Sequence, residues 1–229
     1  MFFIEKMSND LALTISSSLK LNKDQEEIIA YGAFNFIQTL WCILLVLLFG
    51  AIFSVTSKAM IISFTTSVLR KYSGGAHSSS PNRCALIGAI VSVGLALIIK
   101  YINSCINLQM VIIIGIIVFA VAYYTIYRYA PVDSPSKPIV KEVTKQKMKK
   151  KSFFILNVLF SIVIVLLISH TILGFQFMLL SIITCIYVGI LWQVLTLTPR
   201  GYLVLLKIDI FLKCLTEKFG GENNEKQSI

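Results

Sequence analysis

Charge is what this chain has least of. Only 14% of its 229 residues are Asp, Glu, Lys or Arg, whereas a soluble domain carries about 25%. With 56% apolar residues and a mean hydropathy of +0.81, a soluble fold is excluded. A membrane crossing takes about 20 apolar residues, so five or six crossings use up nearly the whole length and leave no room for a separate soluble domain. Acidic residues are scarcer still, 11 against 21 Lys and Arg, for a net charge of +10. That excess invites nucleic acid, acidic lipid or acidic peptide as a partner. The hydropathy argues against nucleic acid, and the basic residues gather between apolar blocks, which is the ordinary mark of membrane topology.

Other absences narrow the field further. The cysteines number five, and Cys42, Cys105 and Cys185 lie in or beside apolar runs, where a thiol is usually a packing residue; a disulfide framework is not expected. No uninterrupted apolar core precedes Asp10, so a cleaved export signal is not expected either, and the first span has to target the chain. No internal repeat is evident. Histidine occurs twice, and His170 stands alone near the end of a span, without the partners a metal site needs. Neither metal nor cofactor is expected.

What is present reads as an all-α, polytopic integral membrane protein forming a single membrane domain. Met7, Leu11, Ile15 and Leu19 recur every four residues, the period of an amphipathic helix lying on the membrane surface. Residues 1–31 form a cytoplasmic N-terminus in this reading. Asn22 with Gln25 resembles a capping box, so a second helix starts near Lys23 and runs into the first span. Long spans are predicted at 36–55, 84–102, 108–127, 153–173 and 175–197. Between the first two, 59–69 is apolar but short, rising about 17 Å as a helix; it either crosses with help from its flanks or enters partway. If it crosses, six spans put only Lys58 and Lys100 outside. If it does not, Lys6, Lys20, Lys23 and Lys100 fall outside. Six is favoured, and residues 128–152, whose Arg128 to Lys151 stretch holds eight Lys or Arg, form a cytoplasmic basic loop under either topology. Segment 70–84 faces the same side.

That segment, Arg70-Lys71-Tyr72-Ser73-Gly74-Gly75-Ala76-His77-Ser78-Ser79-Ser80-Pro81-Asn82-Arg83-Cys84, is the most irregular stretch outside the basic loop. Ser80 before Pro81 is a helix start, with Ser80 as N-cap and Pro81 in the first helical position, where its missing N–H costs nothing. Cys84 then falls one turn in. The helix dipole with Arg70, Lys71 and Arg83 favours a thiolate there. His77, seven residues earlier and just after a Gly-Gly pair, supplies an imidazole. A thiolate that attacks a carbonyl and an imidazolium that protonates the leaving amine are the minimum for acyl transfer. On spacing alone, a loop histidine beside a packing cysteine is the commoner arrangement, because such pairs have no universal local signature.

The pattern R-K-Y-S-G-G-x-H with a cysteine seven residues on, followed later by Tyr129-Ala130-Pro131-Val132-Asp133-Ser134-Pro135-Ser136-Lys137-Pro138-Ile139, resembles two signatures of the accessory gene regulator B family of quorum-sensing peptide processors. Length, hydropathy and the basic central loop agree; Ser78 and Pro81-Asn82 depart from the family's pattern. The resemblance implies a multi-pass cell-membrane cysteine endopeptidase of Gram-positive bacteria, with His77 and Cys84 catalytic. Its partner would be an AgrD-like precursor peptide with an amphipathic leader, a Cys- or Ser-containing core and an acidic tail, alongside membrane lipid. It neither requires nor excludes a homodimer. Substrate contacts are expected at Arg70, Lys71, Gly75, Ser80, Asp133 and Lys137. Arg70 either pairs with a substrate carboxylate or anchors the segment, and Asp133 either orients the histidine or is a turn residue beside Pro131 and Pro135. Two other classes stay open, a peptide exporter and a non-catalytic scaffold for an acidic peptide. The first is weakened because no Asp, Glu, Arg or Lys lies at mid-depth in the five long spans.

Overall fold

The computed structural model describes residues 3–76, 78, 80–102, 106–132, 142–173 and 176–219. Among these the chain forms eight helices: α1 Phe3–Leu19, α2 Lys23–Ile52, α3 Thr56–Ser73, α4 Pro81–Ile102, α5 Leu108–Tyr129, α6 Glu142–Leu173, α7 Gln176–Leu197 and α8 Pro199–Phe219. Five of them, α2, α4, α5, α6 and α7, are long and apolar enough to cross a membrane. The chain is a polytopic, all-helical membrane protein.

The start of α2 follows the sequence closely. Asn22 Oδ1 accepts the Gln25 N–H at 2.9 Å and Gln25 Oε1 accepts the Asn22 N–H at 3.2 Å, the reciprocal pair that satisfies two otherwise orphaned donors. α1 packs on α2 through Ile4, Ser8, Ala12 and Ser16, four residues apart and buried, and Ser16 donates to Glu26 at 2.9 Å. Met7, Leu11 and Leu19 remain on the exposed side, available to lipid as the amphipathic pattern requires.

α3 is longer than its apolar run. The run stops at Lys58 and Arg70, but the helix takes in both flanks and reaches 18 residues, about 27 Å of rise. It packs against α2, α4, α6 and α7, burying Ala59, Ile62, Thr65 and Leu69, so the Thr65 hydroxyl meets protein rather than lipid. Thr66 Oγ1 donates to the Gly189 carbonyl at 3.1 Å and Ser73 Oγ to the Leu69 carbonyl at 2.9 Å; polar groups at depth are tolerated on that condition.

Contacts at the helix ends fix the topology. Lys100 at the end of α4 donates to the Phe53 carbonyl beyond α2 at 3.4 Å. At the opposite end, Gln38 of α2 donates to the Pro81 carbonyl at 2.7 Å, Gly74 beyond α3 bridges Val132 beyond α5, and Lys149 of α6 donates to the Tyr127 carbonyl at 2.6 Å. α3 therefore runs antiparallel to α2 over its whole length, and α2 to α7 alternate up and down. Lys58 and Lys100 sit at the first end and the basic 142–151 stretch at the second. By the positive-inside rule that second end is the one expected to face the cytoplasm.

Two features depart from the sequence reading. The last part of the stretch read as a basic loop, from Glu142 onward, is the opening of α6. A C-terminal helix, α8, follows α7 after a turn in which Thr198 N–H donates to the Leu195 carbonyl at 3.0 Å and Thr198 Oγ1 accepts the Gly201 N–H at 3.1 Å. α8 returns against α7 and α4. The core divides into one apolar cluster around Phe119, Ile126, Leu156, Ile183 and Ile190 and another around Val46, Ala59, Ile62, Val93 and Ile99.

Candidate active site

The basic end of the bundle gathers segments from five helices around the 70–84 stretch. α3 closes on Gly74, whose N–H donates to the Arg70 carbonyl at 3.0 Å. Gly74 has φ +70° and Gly75 φ +131°, both in the region that favours glycine. Space forbids a side chain as well. A Cβ on Gly74 would lie 2.1 Å from the Val132 carbonyl oxygen, and one on Gly75 would lie 2.8 Å from Thr196 Oγ1. Gly74 and Val132 form an isolated parallel bridge, with Val132 N–H donating to the Ser73 carbonyl at 3.0 Å. Gly74 and Val132 are more than fifty residues apart in sequence, and through them the two motifs meet in space.

α7 completes the turn. Gln193 is fully buried, and its Nε2 donates to the Gly74 carbonyl at 2.8 Å and to Ser73 Oγ at 3.0 Å. Thr196 offers its carbonyl to the Ala76 N–H at 3.1 Å, while an Arg70 guanidinium nitrogen donates to the Ala76 carbonyl. Both backbone groups of Ala76 are therefore held. Two residues on, the Ser78 hydroxyl donates to Asp209 of α8. His77 lies between these two anchors in sequence and is outside the described residues, as are Asp133 and Lys137.

The start of α4 is as the sequence requires. Pro81 is the first helical residue and Ser80, buried, gives its carbonyl to the Cys84 N–H at 2.9 Å. Cys84 is half-buried in the first turn, at the positive end of the 22-residue α4. The Arg70 guanidinium is close enough to Cys84 and Cys42 to interact with both electrostatically. The other two cations are differently employed. Arg83 Nε pairs with Asp209 Oδ1 at 2.8 Å. Exposed Lys71 lies over the Tyr72 ring at 5.7 Å, whose ring also takes Lys151 of α6 at 5.3 Å. Lys149 lies over Tyr127 at 4.8 Å, so the basic opening of α6 is fastened to α3 and α5. Among the described residues no cluster of His, Cys, Asp and Glu has the makings of a metal site.

Residues 8–197 match the family model described as accessory gene regulator B. The chain belongs to the accessory gene regulator B family. Two relatives in Clostridium perfringens, AgrB-like proteins of strains SM101 and 13, are each 39% identical over 209 residues, covering 91% of this chain and 97% of the relative. An AgrB-like protein of Listeria innocua is 30% identical over 137 residues, 60% of this chain and 59% of its own. No solved structure matches the chain. The accessory gene regulator B family is a quorum-sensing family of multi-pass membrane proteins, and its match covers both motifs that meet at the Gly74–Val132 bridge.

Three residues that hold this site escaped the sequence reading. Gln193 and Thr196 carry a faint signal, an amide and a hydroxyl on the closing turns of an otherwise apolar span, where a polar group needs a reason. Asp209 is the one carboxylate among the mostly apolar residues from Tyr202 to Leu212, and a buried carboxylate requires a partner.

Proposed function

We propose that this chain is a membrane cysteine endopeptidase that removes the C-terminal tail of an AgrD-like pheromone precursor and passes the remaining acyl group to the precursor's own thiol or hydroxyl. The observation that carries this reading is the meeting of both motifs at the Gly74–Val132 bridge, with both sequence neighbours of His77 tied down and Cys84 in the first turn of the helix that follows. Fixed geometry of that kind is what a reacting pair needs, because orientation accounts for a large share of acyl-transfer rates.

The steps follow from the residue types. The Cys84 thiolate attacks the carbonyl joining core and tail. The C–N bond breaks, the imidazolium of His77 gives its proton to the leaving amine, and the tail departs with a new amino terminus. The core is left as a thioester on Cys84. The substrate's internal thiol, deprotonated by the same imidazole, attacks that thioester and releases Cys84 as thiolate, closing a thiolactone; an internal hydroxyl gives a lactone. Thioester-to-thioester exchange is nearly balanced, so a cysteine nucleophile suits cyclisation better than a serine. Water competes for the acyl-enzyme, and a site at the membrane face limits that loss. Negative charge on the attacked oxygen needs donors, and Pro81 has no N–H while the Cys84 N–H is committed to Ser80. The helix start would therefore draw on the N–H groups of Asn82 and Arg83. The acidic tail has a counterpart in Lys147 and Lys150, which border a shallow groove with Phe154.

The test is tail release from a tagged precursor by protein reconstituted in lipid, read by mass spectrometry. Cys84→Ala and His77→Ala should each abolish release near neutral pH while Cys84→Ala retains precursor binding. Release by Cys84→Ala near the wild-type rate would remove the endopeptidase mechanism and return the exporter and scaffold readings.

A further inference from the structure

We propose that Asp209, on the C-terminal helix α8, is a positioning residue for the catalytic segment, which makes α8 part of the site; the proposal rests on the reading of His77 and Cys84 as the reacting pair. The family match ends at residue 197, before α8 begins at Pro199, so the assignment comes from this chain's own contacts.

Asp209 is 5% exposed. Its Oδ1 accepts from the Ser78 hydroxyl and, at 2.8 Å, from Arg83 Nε. Ser78 directly follows His77, and Arg83 directly precedes Cys84. One oxygen atom thus ties together the two ends of the stretch that has to fold back for an imidazole and a sulfur to meet. Charge-assisted bonds to a buried carboxylate are short and directional, well suited to holding a backbone segment in one arrangement.

Docking of α8 does not explain a carboxylate at this position. Leu205, Ile208 and Leu212, spaced three and four apart, pack with Ala76, Ile87 and Trp192 in a small apolar cluster beneath the helix. That stripe is sufficient to seat an amphipathic helix at the membrane face. Asp209 stands beside Ile208 within the seam, where burying a charge is unfavourable unless its partners repay it, and where an apolar residue of similar size would be tolerated or preferred. Two of its partners, Ser78 and Arg83, are the neighbours of the two reacting residues. Asp209 is accordingly placed to hold the pair in register, acting through Ser78 and Arg83.

The experiment uses the full chain in lipid vesicles with Asp209→Leu, Asp209→Asn and Asp209→Glu, and Leu205→Ala as a docking control. Two properties are measured: kcat and KM for tail release, and the rate of alkylation of each cysteine by iodoacetamide across pH, resolved by peptide mapping. Asp209→Leu should lower kcat at least about tenfold with KM changed by no more than about twofold. The alkylation profile of Cys84 should shift, while that of exposed Cys214, also on α8, should not, because the helix stays docked. Asp209→Glu should restore part of kcat. If Asp209→Leu fails to insert, Asp209→Asn, which keeps the shape and one acceptor oxygen, should show a smaller loss of the same kind. The proposal is overturned if kcat and Cys84 alkylation in the Asp209 variants match wild type. It is equally overturned if both change only together with Cys214 alkylation, as in Leu205→Ala, since Asp209 would then merely dock the helix. Tail release by Cys84→Ala would instead sink the catalytic reading, and the Cys84 alkylation profile would still decide whether Asp209 positions the segment.

Discussion

The two ends of the helical bundle are built on different terms. At the basic end, Gln38, Arg70, Gln193, Thr196 and Asp209 reach from four helices to backbone or side chains of the 73–83 stretch. At the other end, among the described residues, the chain turns mainly by local means. Val55 N–H donates back to the Gly50 carbonyl at 2.8 Å, Asn107 caps α5 through the Met110 N–H at 2.9 Å, and the Lys100 bond to Phe53 spans helices at 3.4 Å. In lipid, apolar contact between helices gains little, because acyl chains are as apolar as leucine; close packing and interhelical hydrogen bonds do more. A chain that spends its polar residues at one end is fixing the geometry there and leaving the other end to simple reversal.

The contrast can be broken most severely at Gly74. Gly74→Ala has to move the Val132 carbonyl and adopt a positive φ, a strain of about 1–3 kcal/mol, and the loss of the bridge should cut tail release by at least about a hundredfold. Wild-type turnover with a shifted thermal unfolding midpoint would show that the meeting of the two motifs serves stability alone. Next in size is Gln193→Leu. The Gly74 carbonyl and Ser73 hydroxyl lose their buried donor, at about 1–3 kcal/mol, readable by unfolding in mixed micelles; an unchanged midpoint would mean the amide is dispensable to the turn.

Smaller effects belong to the basic opening of α6. Replacing Lys147 and Lys150 by Gln should weaken binding of the acidic tail by no more than about 1 kcal/mol for each charge, fading with salt. Replacing Lys149 and Lys151, which lie over Tyr127 and Tyr72, should also loosen α6 without peptide present, measured as faster hydrogen exchange. Equal behaviour of the two pairs would contradict that division. The smallest effect is expected at the opposite end: Lys100→Ala should change stability within about 0.5 kcal/mol and leave tail release unaltered.

How much of this was readable beforehand depends on whether the cause is local. The spans follow from runs of about 20 apolar residues, the start of α2 from Asn22 and Gln25, and the start of α4 from Ser80-Pro81. Each is a short-range signal. α3 was underestimated because counting apolar residues stops at a charge, whereas a helix shielded by four others continues through Lys58 and Arg70. α8 was missed because Thr198-Pro199-Arg200 after Leu197 reads as the end of a span, and Lys207 and Asp209 interrupt the apolar residues between Tyr202 and Leu212. At the site, Cys84 and Gly74-Gly75 announce themselves through residue type. The roles of Gln193, Thr196 and Asp209 do not, since each depends on a partner more than a hundred residues away.

The most direct test of the account is capture of its covalent intermediate. A tagged precursor whose internal Cys or Ser is replaced by Ala cannot cyclise, so the acyl group should remain on the enzyme once the tail has left. Reconstituted wild-type protein should then yield one tail per acylated chain, with the adduct mapping to the Cys84 peptide and released by hydroxylamine as a thioester is. Tail release without an adduct on Cys84, or an adduct on another cysteine, would contradict it.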